Sequence, residues 1–217
     1  MNSFLKPKLV IVTSVIDPVL SNLRSSNRSL FKKEKRFEQT KVTLGSLSAI
    51  KNKKILFIEA TDIDEYMEEY ILDHVDYYVN TKNVDWVTGG VNSPWKCIGE
   101  ARMIEHGLKF HSLTEYNSVF KISGRYYISK DFQAERQNVQ NSVFSHQNKG
   151  AHWNSTFFYK ICEEHFEVYQ QCLAHCSNAR GVMERRFFNF FRDTDCIYVP
   201  KFGVCGWAGP TGGFYCW

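Results

Sequence analysis

Lys8–Val15 reads KLVIVTSV, a β-branched run with almost no polar alternation. Such a run suits a strand covered on both faces, as in a parallel sheet. Lys54–Ala60 (KILFIEA) is a second run of this kind, Val75–Asn80 (VDYYVN) a shorter third, and Ser118–Ile128 reads as a fourth strand. Helical spacing fills the intervals. From Glu34 to about Ile50, Phe37, Thr40, Leu44 and Leu47 share a face. Asp62 or Asp64 caps a short acidic helix through Leu72, and after Ser93-Pro94 the residues Ile98, Ala101, Glu105 and Leu108 line up along another. Asp17–Lys35 is crowded with Ser, Asn and Arg and reads as a loop, alone or with a short helix. Asn154–Ala174 and Gly181–Phe191 read as two amphipathic helices, and Cys196–Trp217 as a strand followed by a loop. The expected fold is α/β, a mostly parallel central sheet with helices on both faces, in a single domain over 1–217.

A net charge of +4 over 217 residues is mild. It suits anionic small molecules or an anionic surface and gives no indication of nucleic acid. The seven cysteines include no C-x-x-C pair, and Cys172-x-x-x-Cys176 beside His175 lacks a second ligand pair, so the reading is buried reduced thiols and not zinc. With no signal-peptide pattern and no apolar window near the length of a membrane span, the expected location is cytoplasmic. The basic stretches Lys32-Lys33 and Lys51–Lys54 suit peripheral membrane contact or simple solvation. Neither G-x-G-x-x-G nor G-x-x-x-x-G-K-[ST] occurs, which counts against a dinucleotide-binding dehydrogenase or methyltransferase and against a P-loop enzyme.

Phe120–Tyr127 (FKISGRYY) is where chemistry is expected. A strand that opens into Ser123, Gly124 and Arg125 offers a turn with no Cβ and a charged fork suited to phosphate or carboxylate. The bland alternative is a hairpin with a surface Arg. Arg36, Gln39 and Thr40 share a face near a helix start, where a base or phosphates could be met, or form a solvated turn. Lys96, Gly99 and Glu100 open the helix after Pro94, where an ammonium and free N–H groups can hold a diphosphate. Two Asp-x-Asp triplets, Asp62–Asp64 and Asp193–Asp195, fit a divalent ion or plain capping and turns. His146, His152, His165 and His175 form no metal pattern, and Trp86, Trp95, Trp153 and Trp207 fit a sugar or base platform or the core.

In this order, Val10–Ser14, Arg36–Thr40, Leu56–Ala60, Lys96–Glu100, Phe120–Tyr126, and Met183-Glu184 before Phe187-Phe188 resemble a family. It is that of nucleotide-sugar glycosyltransferases with a GT-A-like fold, from bacterial surface-polysaccharide loci and large DNA viruses. The resemblance covers about positions 8–207. It implies transfer of a hexosyl or deoxyhexosyl group from a nucleoside-diphosphate sugar to a hydroxyl of a glycan or glycoprotein acceptor, in glycan synthesis. It places Thr13 and Ser14 at the nucleoside, Glu59 at the base or ribose, and Arg36 and Lys96 towards the phosphates. Ser123, Gly124 and Arg125 occupy the place where many such enzymes carry a metal-binding Asp-x-Asp. A requirement for Mn²⁺ or Mg²⁺ is therefore in doubt, and Arg125 or Lys96 is the fixed cation that would replace the ion. Glu184 is the candidate general base, with helix capping or acceptor positioning as its other role. The alternative to an enzyme is a non-catalytic nucleotide- or glycan-binding module of the same fold.

Overall fold

The structure, a computed structural model, describes residues 6–17, 30–133, 140–145, 154–208 and 212–217. Residues 18–29 of the polar stretch after Asp17, together with His146, His152 and Trp153, lie outside these. β1 (Lys8–Ser14) is buried along its whole length. Its alternate side chains enter two different cores. Val10 and Val12 join one, Leu9 and Ile11 the other. That is why its sequence is apolar without alternation, each such side chain contributing roughly 1.5–3 kcal/mol of burial.

β2 (Lys53–Glu59), β3 (Tyr77–Asn80) and β4 (Ser118–Ser123) run parallel to it, with Val12 opposite Phe57 and opposite Ile122. Three more strands complete a seven-stranded sheet: β7 (Phe158–Cys162), antiparallel to β4, then β6 (Ser142–Ser145) and β8 (Cys196–Val199). The order is β3-β2-β1-β4-β7-β6-β8. The expected mostly parallel sheet is present, with β7 as its antiparallel member.

One face carries α1 (Lys33–Ser46) and α2 (Glu65–Leu72); the other carries α3 (Asp85–Val91), α4 (Lys96–Leu108), α5 (Phe166–Asn178) and α6 (Met183–Phe191). Phe37, Thr40, Leu44 and Leu47 are buried as their spacing predicts, and Asp64 is the cap of α2. α3 and α4 cross with backbones in contact: a Cβ on Gly99 would lie 2.7 Å from Val91 Cα. Arg102 secures the crossing, donating to Trp86 O at 2.5 Å and to Ser177 O at 3.0 Å.

Four sequence expectations are corrected. Ser118–Ile128 is not one strand. It breaks at Ser123, and β5 (Tyr126–Ile128) leaves for a second sheet, β10-β9-β5, with β9 (Val204–Trp207) and β10 (Phe214–Cys216). The tail is thus three strands. Asn154–Ala174 holds β7 followed by α5, because Phe157, Phe158 and Ile161 pack on both sheet faces and not along one helical stripe. The cysteines are not all thiols: Cys205 and Cys216, opposite each other on β9 and β10, form a disulfide, while the other five are free.

Candidate functional site

β1 and β4 are parallel neighbours, so their carboxyl ends reach the same edge of the sheet, the edge where open α/β sheets take ligands. There a cleft of about 790 Å³, its open mouth included, is lined by Thr13 and Ser14 from β1 and by Ser123, Gly124 and Arg125 from the β4–β5 corner. Arg36 of α1 and Lys96, Gly99, Glu100 and Met103 of α4 close its sides, with Val15 and Val91. The predicted residues from four separated segments are thus brought together. Met103 completes the helical face of Gly99 and Glu100, and periodicity alone would have found it.

The corner is held from three directions. Gly124 N donates to Thr13 O (2.9 Å), Thr40 Oγ1 donates to Gly124 O (3.0 Å), and Trp207 N donates to Arg125 O (3.3 Å). A Cβ on Gly124 would sit 3.2 Å from the Ser14 side chain. The glycine therefore lets the corner lie against the end of β1, and Gly99 likewise serves helix packing. The missing Cβ of Gly124, expected to admit a ligand, faces protein, although both glycines line the cleft.

Electrostatically the cleft is short of negative charge. Arg36 is buried, and neither it nor Arg125 forms an ion pair among the described residues. The buried Nε of each has no hydrogen-bond partner. Burial first, then the neighbouring Arg125 charge, pushes the Arg36 guanidinium down to about 9, with the Glu59 carboxylate opposing. A guanidinium does not give up its proton in practice. The physical content is two crowded cations that an anion would relieve.

Glu59, Gln39, Thr40 and Glu184 do not line the cleft. Glu59 is fully buried at the end of β2, where its Oε1 accepts from Ile16 N and Thr61 N, both at 3.0 Å, and from Thr61 Oγ1. It ties the segment after β1 to the end of β2. Burial raises its carboxyl, and the hydrogen bonds from Thr61 and Ile16 oppose that. Gln39 is buried with neither amide atom partnered. Glu184, in the first turn of α6, accepts from Thr156 Oγ1 at 3.0 Å. Its carboxyl too is raised, by burial first.

The sequence reading missed Lys121. It is fully buried in the middle of β4, and its ammonium donates to Glu100 Oε1, to Ser123 Oγ (2.8 Å) and to Thr156 O (2.7 Å). The signal was available: a charge in a strand buried on both faces has to be paired.

Mn²⁺ and Mg²⁺ call for hard oxygen ligands. The acidic triplets have other commitments. Asp64 Oδ1 caps α2 through Met67 N, and Asp62 pairs with Lys82. Asp195 accepts from Asn141, and Asp193 pairs with Arg192. At the corner itself the side chain is a cation. The residues present do not fit a divalent ion there, and among the described residues no three His, Cys, Asp or Glu gather elsewhere. Trp86 lies against Arg102 and Lys109, and His165 meets Ser142 Oγ, both packing roles.

No protein-family model matches the chain, and no curated protein matches it in sequence. Among solved structures it is similar to a glycosyltransferase involved in the glycosylation of the major capsid of PBCV-1. That match has a TM-score of 0.48 and 7% identity, over 89% of this chain and 81% of that one. It is similar also to a protein described as a nucleotide-diphospho-sugar transferase from Desulfovibrio desulfuricans G20. There the TM-score is 0.49 and the identity 7%, over 90% of this chain and 80% of that one.

Proposed function

We propose that the chain is a glycosyltransferase, moving a sugar from a nucleoside-diphosphate donor to a hydroxyl of a glycan or glycoprotein. One observation carries the reading. Two crowded guanidinium groups, Arg36 and Arg125, meet Lys96 and the first turns of α4 in one cleft at the carboxyl edge of the sheet. A diphosphate supplies the charge that this cleft lacks.

Thr13 and Ser14 then face the nucleoside. Glu59 acts on that end through Ile16, without touching the ligand. The acceptor oxygen bonds to the anomeric carbon as the bond from that carbon to the diphosphate oxygen breaks. The nucleoside diphosphate leaves with the electron pair, and Arg125 and Lys96 neutralise its growing charge. We assign the acceptor's proton to Glu184, whose raised carboxyl suits it to general base work; because Glu184 stands outside the cleft lining, the acceptor hydroxyl must approach from the α6 side. The cationic corner supports a reaction that needs neither Mn²⁺ nor Mg²⁺.

The deciding experiment is a thermal-shift panel of UDP-, GDP-, CMP- and dTDP-sugars, each with and without Mn²⁺, followed by turnover with acceptor glycans. Saturating donor raises the midpoint by several degrees, since a ligand at 100 times its Kd adds about 2.7 kcal/mol. Stabilisation by one nucleotide series, equal in both metal columns, is expected. Silence from all of them in a folded protein overturns the donor site, and binding without turnover points to the non-catalytic module. Among the described residues no helix is long and apolar enough to cross a membrane. We propose a cytoplasmic site of action from the five free thiols; the Cys205–Cys216 bond argues the other way, and localisation of the tagged protein decides between them.

A further inference from the structure

Lys121 stands at the centre of a chain of contacts that reaches from the cleft to Glu184. An ammonium has three protons to donate, and all three find acceptors: Glu100 Oε1, Ser123 Oγ and Thr156 O. Three segments are fixed by this one side chain. They are the first turns of α4, the β4–β5 corner, and the strand of chain that leads into β7. The next link is Thr156, which holds Lys121 with its carbonyl and donates from Oγ1 to Glu184 Oε1 at 3.0 Å. Glu100 faces the cleft, and its hydrogen bonds, from Lys121, from Thr13 Oγ1 at 3.4 Å and from Ser123 Oγ at 3.5 Å, all go to Oε1.

We propose that Lys121 is a positioning residue that joins Glu100 in the cleft and Glu184 on α6 into one electrostatic unit, so that the charge state of Glu184 depends on both partners. A buried lysine among the strands of a sheet is otherwise a cost, since an apolar residue of similar volume would fill the place at least as well. Its field offers a reason for it to be there. Among the charges around Glu184, which include Arg185 and Arg186 next to it on α6, the negative charge of Glu100 raises its carboxyl and the positive charge of Lys121 lowers it. On β5, Tyr126 is close enough for both carboxylates to act on its hydroxyl, after burial and Arg125. Tyr169 and His175 of α5 pack farther along α6, on Phe187 and Phe190, and Cys176 faces Arg186.

The functional half of this proposal, that Glu184 accepts the acceptor's proton, rests on the transferase reading; the electrostatic half does not. The test separates them. Glu184 is titrated by carbon NMR of labelled side-chain carboxyls in the wild type, Lys121→Met and Glu100→Gln. Removing the positive charge moves the Glu184 titration to higher pH, and removing the negative one moves it lower. Opposite movements from two neighbouring substitutions are not what general loosening produces. Should Lys121→Met fail to fold with Glu100 left unpaired, the double variant Lys121→Met/Glu100→Gln removes both charges, and Glu184 then titrates near its wild-type position. Lys121→Arg retains the wild-type direction. A Glu184 titration that ignores both single substitutions overturns the proposal, whatever the enzyme assay gives.

In turnover assays, Lys121→Met lowers kcat roughly tenfold more on the acid side than on the alkaline plateau. Turnover with an unmoved acid limb removes the proposed role while the transferase stands. Absence of donor binding removes the transferase while the NMR result is still decided.

Discussion

Arg125 and Arg36 each present a buried Nε without a partner, so each has a hydrogen bond to give to a ligand. A bond to a charged group contributes about 1.5–3 kcal/mol. Arg125→Ala should therefore weaken nucleoside-diphosphate binding roughly 10- to 100-fold by calorimetry, with little change in melting midpoint; an unchanged Kd would remove Arg125 from the site. Glu59 calls for the opposite kind of measurement, stability against pH. Its carboxyl is raised in the folded state, so the stability it contributes is present at low pH and is lost as pH rises through the folded value. Glu59→Gln keeps an acceptor for Ile16 and Thr61 and has nothing to ionise. The variant's midpoint relative to wild type should thus climb from pH 4.5 to pH 8, each kcal/mol being worth about 2–4 °C. A gap that is flat with pH contradicts the assignment. The sequence shows which of these residues are polar; it does not show that Glu59 is sealed or that Lys121 has three acceptors, since Ile16 lies 43 positions from Glu59, and Glu100 and Thr156 lie 21 and 35 positions from Lys121.

Among the elements, the crossing of α3 and α4 sets where Lys96 and Glu100 stand. Gly99→Ala forces its new Cβ onto the α3 backbone and should cost roughly 1–3 kcal/mol in urea denaturation, with weaker donor binding as α4 shifts. Gly45, in α1, has nothing within 4 Å of a built Cβ, and Gly45→Ala should stabilise by about 0.5–1 kcal/mol. Equal effects at the two glycines would show that the crossing is not tight. In the parallel half of the sheet, the strands and α1, α2 and α4 were legible because each has one dominant period, and α2 has its cap in Asp64; α3 was not read from the sequence. The second half was not. Phe157-Phe158 fits a helical stripe and a buried strand equally well over so short a span. β5 joins the β9–β10 pair only through pairings between residues near 127 and near 205, which no local pattern announces. The cleft was legible for the same reason as the first half: its residues sit at strand ends and helix starts.

For the molecule as a whole, the disulfide is the lever on the second sheet. Cys205 and Cys216 close a short loop, and breaking it should cost up to about 3 kcal/mol. Reductant should lower the wild-type midpoint and leave a Cys205→Ser/Cys216→Ser variant unmoved; identical melts with and without reductant would deny the bond a role. Because Trp207 of the same sheet holds the Arg125 carbonyl, reduction should also weaken donor binding, by a few-fold at most.

The strand order carries a last consequence, for synthesis. β1 lies between β2, at residues 53–59, and β4, at residues 118–123. Once β2 has been made, β1 can pair along one edge only. Its other edge, apolar on both faces, stays open while the ribosome adds the intervening residues, on the order of several seconds. The nascent chain is most exposed to pairing with a foreign strand in that interval, and the rate of translation sets how long it lasts.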